Sequence, residues 1–183
     1  MKRIISILAT ALCVLTASAQ IRIATPGTEL ILKADVGAEP QIQYFGERLS
    51  DTDVANLQAA GVPNHNAYPA YGLWCASEAS LGVTHSDGNM STVLRVESVT
   101  QTDEPTAKVT RIKMKDTVYP FYVTLCYRAY QDVDMIETWT EIENLEKKPV
   151  VLTRFDSGYL PLRAGDVWIS HLHGTWANEG LLV

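Results

Sequence analysis

The chain has 183 residues, with 15 Lys and Arg against 21 Asp and Glu and a formal net charge of −6. An acidic balance without clustered Lys and Arg argues against nucleic acid as a partner, because backbone binding needs a basic surface. Beyond the N-terminus no segment reaches the roughly eighteen apolar residues of a membrane helix, so no membrane span is expected.

The first nineteen residues read as a secretory signal peptide. Lys2 and Arg3 precede an apolar run from Ile4 to Leu15, and Ala17-Ser18-Ala19 forms a small-residue cleavage site. Cys13 lies inside the apolar run behind Leu12, which is not the setting of a lipoprotein cysteine. The expected mature chain starts at Gln20 and is released to the periplasm or beyond. Its 183 − 19 = 164 residues, with 13 bases left against 21 acids, suffice for one domain with a real core. Cys75 and Cys126 remain, and the sequence leaves open whether they pair or are two small buried thiols.

Short alternating runs then follow one another: Glu29 to Ala34, Gln41 to Phe45, Leu81 to His85, Thr92 to Val96, Lys108 to Lys115, Phe121 to Arg128, Met135 to Ile142, Val150 to Ser157 and Val167 to Leu172. In the clearest, Phe121, Val123, Leu125 and Tyr127 share one face and Tyr122, Thr124, Cys126 and Arg128 the other, which is strand periodicity. Turn residues divide the runs at Thr25-Pro-Gly27, Asp87-Gly-Asn89, Asp103-Glu-Pro105, Lys147-Lys-Pro149 and Arg163-Ala-Gly-Asp166. The pattern predicts an all-β fold, an antiparallel β-sandwich, rather than alternating βα units. One short helix is expected over Ser50 to Ala60, capped by Ser50 or Asp51 and ended by Gly61 and Pro63. Asn64 to Gly72 reads as a loop with two tyrosines around a proline.

Candidate chemistry concentrates in Trp168-Ile-Ser-His-Leu-His-Gly-Thr-Trp-Ala-Asn-Glu179. On a strand, His171 and His173 share one face, which can place two imidazoles on one metal. Zinc needs three or four ligands, and only Glu179 offers a third nearby. Metal binding, a hydrogen-bonding structural role, and contact with a ligand or neighbouring domain all remain open for these histidines. Carboxylates recur at period two in Asp51 and Asp53, Asp132 and Asp134, and Glu141 and Glu143, the spacing of a glycosidase pair or of a solvated strand face. Trp74 can be a sugar-stacking platform or a half-buried core residue, and His85, at a strand end before Ser86-Asp-Gly-Asn89, reads as a turn-stabilising side chain. No Ser-His-Asp order, phosphate-cradling glycine loop or cysteine-histidine zinc spacing is present.

Three stretches together resemble the N-terminal domain of glycoside hydrolase family 36 α-galactosidases: Tyr68-Pro-Ala-Tyr-Gly72, Val83-Thr-His-Ser-Asp-Gly-Asn-Met-Ser-Thr92, and Trp168 to Glu179. Pro120 to Tyr127, Asp134 to Asn144 and Glu146 to Val150 are also like that domain, in the same order. The resemblance implies a galactose-mutarotase-like supersandwich ahead of a (β/α)8 barrel. That barrel hydrolyses terminal α-galactosides with retention, using two aspartates and no cofactor, and neither aspartate belongs to this domain. A barrel needs about 250 residues, so residues 20–183 are expected to be a partial supersandwich domain with the catalytic barrel absent. Alone, the chain is expected to hydrolyse nothing. Tyr71, Trp74, His171, His173, Trp176, Asn178 and Glu179 are then candidates for contact with substrate or with the missing domain, with no catalytic residue and no metal ligand among them.

In relatives, the segment after the tyrosine-glycine carries an aspartate, an arginine and a proline, and in oligomers that aspartate reaches a neighbouring active site. Here Cys75, Ser77 and Ala79 stand at those positions, which implies a different substrate preference or assembly. Two rival readings remain. A stand-alone carbohydrate-binding module would use Tyr71, Trp74 and Trp176, and an aldose epimerase-like enzyme would use His171, His173 and Glu179 as acid and base groups.

Overall fold

The computed structural model describes residues 20–57, 65–72 and 78–162, and the backbone alone of 13–14, 58–59, 172–175 and 178–182. Its elements are β1 (Cys13–Val14), β2 (Gln20–Ala24), β3 (Thr28–Lys33), β4 (Gln41–Glu47), α1 (Asp51–Ala59), β5 (His65–Asn66), β6 (Leu81–Thr84), β7 (Leu94–Asp103), β8 (Ala107–Asp116), β9 (Phe121–Tyr130), β10 (Ile136–Asn144), β11 (Val151–Phe155), β12 (Leu172–Thr175) and β13 (Asn178–Leu182). All strand pairs are antiparallel. One sheet runs β1-β7-β8-β9-β10 and another β2-β3-β4-β5, with two-stranded ribbons β6-β11 and β12-β13.

The sandwich closes because one face of each main sheet is apolar. On β9, Phe121, Val123, Leu125, Tyr127 and Ala129 are buried, and the register sets Ile112 and Met114 of β8 beside them. Ile21 and Ile23 of β2, Leu30 and Leu32 of β3, and Ile42 of β4 join the same core, with β2 packed across β9. Leu81 and Val83 of β6 and the loop residues Ala67, Tyr68 and Ala70 complete it. Removing this much apolar side chain from water is the main stabilising term.

The all-β antiparallel sandwich read from the sequence is the fold observed, with three differences in detail, one being that His65–Asn66 pairs with β4 inside the stretch read as a loop. Gln20–Ala24 is a strand that the alternation did not single out, since its five residues are too short a run to stand apart from the preceding apolar segment. β7 also extends to Asp103, well beyond Val96. The register shifts between Val96 and Ser98, so a bulge at Glu97 breaks the period of two on which the sequence reading depends. The strand expected from Val167 lies outside the described residues as far as 171, and the backbone hairpin β12-β13 follows it.

α1 forms where expected. Ser50 Oγ accepts the Asp53 N–H at 3.2 Å, and Ser50 O accepts the Val54 N–H at 3.0 Å, so Ser50 is the N-cap. Asp51 in the first turn meets Arg22 Nη1 at 2.6 Å. Arg22 also pairs with Glu29, a fully buried carboxylate that accepts the Leu49 N–H at 3.2 Å, and this ties the helix start to β2 and β3. Among the described residues, no helix is long and apolar enough to cross a membrane.

Phe121→Ala should lower stability by about 3–5 kcal/mol, measured by urea unfolding, because it opens a cavity at the centre of the core. Thr124→Ala, on the opposite face of the same strand, should cost less than about 1 kcal/mol. Equal losses at the two positions would mean that β9 does not bury the face described.

Candidate functional site

The most fully constructed corner of the molecule carries Tyr71. Asn66 Oδ1 accepts the Tyr68 N–H at 2.8 Å, and the buried Tyr68 hydroxyl donates to Asp156 O at 2.9 Å. These contacts anchor the start of the Tyr68-Pro-Ala-Tyr-Gly72 loop. Tyr71 N–H donates to Leu81 O at 2.8 Å, and Tyr71 O accepts the Thr92 N–H at 2.9 Å, so the backbone of Tyr71 is held from both sides. Gly72 has φ 106°, and a Cβ there would lie 2.6 Å from Ser91 Cα. Glycine is required by both the conformation and the close approach. Tyr71 itself remains 57 % exposed.

The opposing turn, His85 to Thr92, is held by a buried histidine. His85 Nδ1 lies 2.7 Å from Glu146 Oε1, Nε2 lies 3.0 Å from Thr92 Oγ1, and the ring stacks on Tyr119 at 3.8 Å between centroids. Glu146 Oε2 accepts the Ser86 N–H at 3.1 Å, although the whole side chain is only 3 % exposed. Burial pushes the Glu146 carboxyl up, but the hydrogen bonds from His85 and Ser86 outweigh it and hold the group below its ordinary 4.5. An ionised carboxylate only accepts, so the proton between the two groups sits on Nδ1.

Around this contact the polar groups are all engaged. The Tyr119 hydroxyl donates to Asp87 Oδ2 at 2.8 Å and accepts from Asn89 Nδ2 at 2.9 Å. The Asn89 backbone N–H and the Tyr119 hydroxyl hold the Asp87 carboxyl below the usual range. Asp116, itself buried, accepts the backbone N–H groups of Val93, Val118 and Tyr119 at 2.7–2.8 Å. With its acids and its histidine committed to neighbours, this corner can bind through an aromatic face but presents no poised acid-base pair.

Of the residues singled out in the sequence, Tyr71 is exposed, and His85 is the turn-stabilising side chain expected. Trp74, His171 and Trp176 lie outside the described residues. His173 lies on β12 opposite Leu181, and Asn178 and Glu179 lie on β13, where the backbone alone is described. Among the described residues no three His, Cys, Asp or Glu gather as a metal set. The period-two carboxylates are occupied elsewhere. Asp134 accepts from the hydroxyls of Thr25 and Thr28, and Glu141 and Glu143 lie near Arg111 and Lys113 on the outer sheet face. Cys126 is a free, buried thiol, pushed up to about 12 by burial and then by Glu141.

Glu146, Tyr119 and Asp116 had no sequence signal. In Leu145-Glu-Lys-Lys148 an acid looks solvated, and 61 residues separate Glu146 from His85. The ordered resemblance took in the stretches of His85 and Glu146 but neither Tyr119 nor Asp116.

The fold and this corner define an antiparallel β-sandwich domain with a rigidly displayed aromatic loop. The chain belongs to the glycosyl hydrolase family 36 N-terminal domain family, whose model matches residues 38–182. The structure of a family 36 α-galactosidase variant from Geobacillus stearothermophilus in complex with raffinose is 20% identical, covering 76% of this chain and 24% of that chain with a TM-score of 0.66. The α-galactosidase from Lactobacillus brevis is 18% identical, covering 91% of this chain and 27% of that chain with a TM-score of 0.70. The galactosidase domain of an α-galactosidase-sucrose kinase is 18% identical, covering 80% of this chain and 25% of that chain with a TM-score of 0.67. The chain thus spans about a quarter of the length of these proteins, and the likeness is one of fold. No curated protein sequence matches the chain.

Because the folded-state value of Glu146 is depressed, its contribution is present above the ordinary 4.5 and is lost as pH falls through the folded value. Glu146→Gln should therefore cost about 1–3 kcal/mol at pH 7 and flatten the acid limb of the stability curve, read by urea unfolding as a function of pH. A variant with the wild-type acid limb would exclude Glu146 as its source. Gly72→Ala should cost at least about 1–3 kcal/mol in a thermal melt from the strained φ, with the clash against Ser91 adding to it. A neutral effect would contradict the conformation described.

Proposed function

We propose that the chain is the N-terminal, non-catalytic part of an exported α-galactosidase-like glycoside hydrolase that acts on terminal α-galactosides. The observation that carries this reading is the family match over residues 38–182, which takes in the Tyr71 loop, the His85 turn and the β12-β13 hairpin. Structures of family 36 α-galactosidases from Geobacillus stearothermophilus with raffinose and with stachyose support the substrate class.

In this reading the sandwich supports a barrel that carries the chemistry, and Tyr71, with Trp74, His171, His173, Trp176, Asn178 and Glu179, faces either substrate or barrel. The engaged state of His85, Glu146, Asp87 and Asp116 supports a role without proton transfer. The protein is secreted or periplasmic through the leader at residues 1–19, needs no cofactor, and meets galactosides through the longer enzyme, which can be a homo-oligomer.

The test is galactose release from raffinose, followed by a coupled galactose dehydrogenase assay. The purified chain should release none above background, whereas the product of the complete gene, carrying the barrel, should turn raffinose over. Galactose release by the chain itself would contradict the non-catalytic role. A complete gene product that encodes a barrel but is inactive on raffinose, stachyose and a synthetic aryl α-galactoside would contradict the substrate class. N-terminal sequencing of the exported protein should begin at Gln20.

A further inference from the structure

The solvent face of β7 to β10 has a shape that neither the fold nor the family role requires. In the register, Ser98, Lys113, Thr124 and Glu141 form one row across the four strands. The rows on either side carry Trp139 and Tyr122. Ser98 and Thr124 are short, and the space above them, between the longer side chains of Arg111, Lys113, Glu141 and Glu143, is an open trough of about 580 Å³ with Trp139 and Tyr122 beyond its lining.

The charges lining this trough cancel, with Arg111 and Lys113 against Glu141 and Glu143. A phosphate-bearing ligand needs a net positive site, and a metal needs acids without interleaved cations, so the balance disfavours both. These charges also face one another at a distance. Arg111 Nε lies 3.9 Å from Glu141 Oε1, and Lys113 Nζ lies 3.8 Å from Glu143 Oε2, both longer than a hydrogen bond. Gaps of that length admit a water, or a ligand hydroxyl that both accepts from the cation and donates to the carboxylate.

The flanking rings are preorganised. Trp139 Nε1 donates to Glu141 Oε1 at 3.0 Å, and the guanidinium groups of Arg111 and Arg128 lie 5.7 and 5.2 Å from its ring centroid. Lys113 Nζ lies 4.6 Å from the Tyr122 ring. Trp139 pairs with Cys126, four residues along β9 from Tyr122. That separation is about 13 Å, the reach of an oligosaccharide rather than a single sugar.

We propose that this trough binds a neutral oligosaccharide, with Trp139 and Tyr122 as the flanking rings and Arg111, Lys113, Glu141 and Glu143 as partners for its hydroxyls. The site shares no residue with the Tyr71 corner, and its existence does not depend on the galactosidase reading.

Isothermal titration of the full chain with stachyose, maltohexaose, cellohexaose, mannohexaose and xylohexaose tests it. At least one should bind with Kd of about 1 mM or tighter, with little dependence on salt. Trp139→Ala should weaken that binding about tenfold or more. Thr124→Arg, which fills the floor from a position outside the core, should abolish it without lowering the thermal midpoint. The proposal is overturned if none of the five sugars binds the folded chain, or if binding survives both substitutions. Sedimentation of the chain as a dimer that Thr124→Arg dissociates would also overturn it, since the face would then be an interface between copies.

Discussion

A buried histidine-carboxylate contact, His85 Nδ1 against Glu146 Oε1 at 2.7 Å, ties the five-stranded sheet to the β6-β11 ribbon through the connections that leave them. Through Thr92 it holds the strand entering β7, through Ser86 it holds the end of β6, and Glu146 itself belongs to the connection between β10 and β11. The Tyr71 loop leans on this assembly through the Thr92 N–H and through the close approach of Gly72 to Ser91. A carboxylate removed from water is tolerable only when its oxygens are satisfied, and here a ring nitrogen and a backbone N–H do so. Removing either partner leaves the other buried and uncompensated, which costs more than the contact contributes when intact.

The legibility of the fold followed the burial pattern strand by strand. β9 has one wholly buried face and could be read without a structure, as could β8 and β10, and the Ser50 cap lay where its residue type belongs. β7 resisted because a bulge shifts its phase midway, and periodicity has no means of representing a bulge. Buried polar residues were the least legible. Glu29, Asp116 and Glu146 are acids in polar surroundings along the chain, and only partners 7 to 61 residues away, or a set of backbone N–H groups, take them out of solvent. Tyr71 was identifiable as a candidate through resemblance, whereas its rigid mounting depends on contacts that no local spacing encodes.

The acids around the Tyr71 corner are satisfied by a histidine, hydroxyls or backbone N–H groups, and burial pushes the Cys126 thiol up to about 12, too high to act as a nucleophile near neutral pH. What the surface offers is aromatic rings held still, Tyr71 at one corner and Trp139 with Tyr122 on the outer sheet.

The claim on which the rest stands is that the His85-Glu146 contact rigidifies the corner that presents Tyr71, and amide hydrogen exchange of the Tyr71 and Thr92 N–H groups measures it directly. In the wild-type chain at neutral pH both should be protected to nearly the level of the β8 and β9 amides. In Glu146→Gln they should lose protection while β8 and β9 keep theirs. Corner amides that exchange in the wild type as fast as those of an open loop would contradict the account.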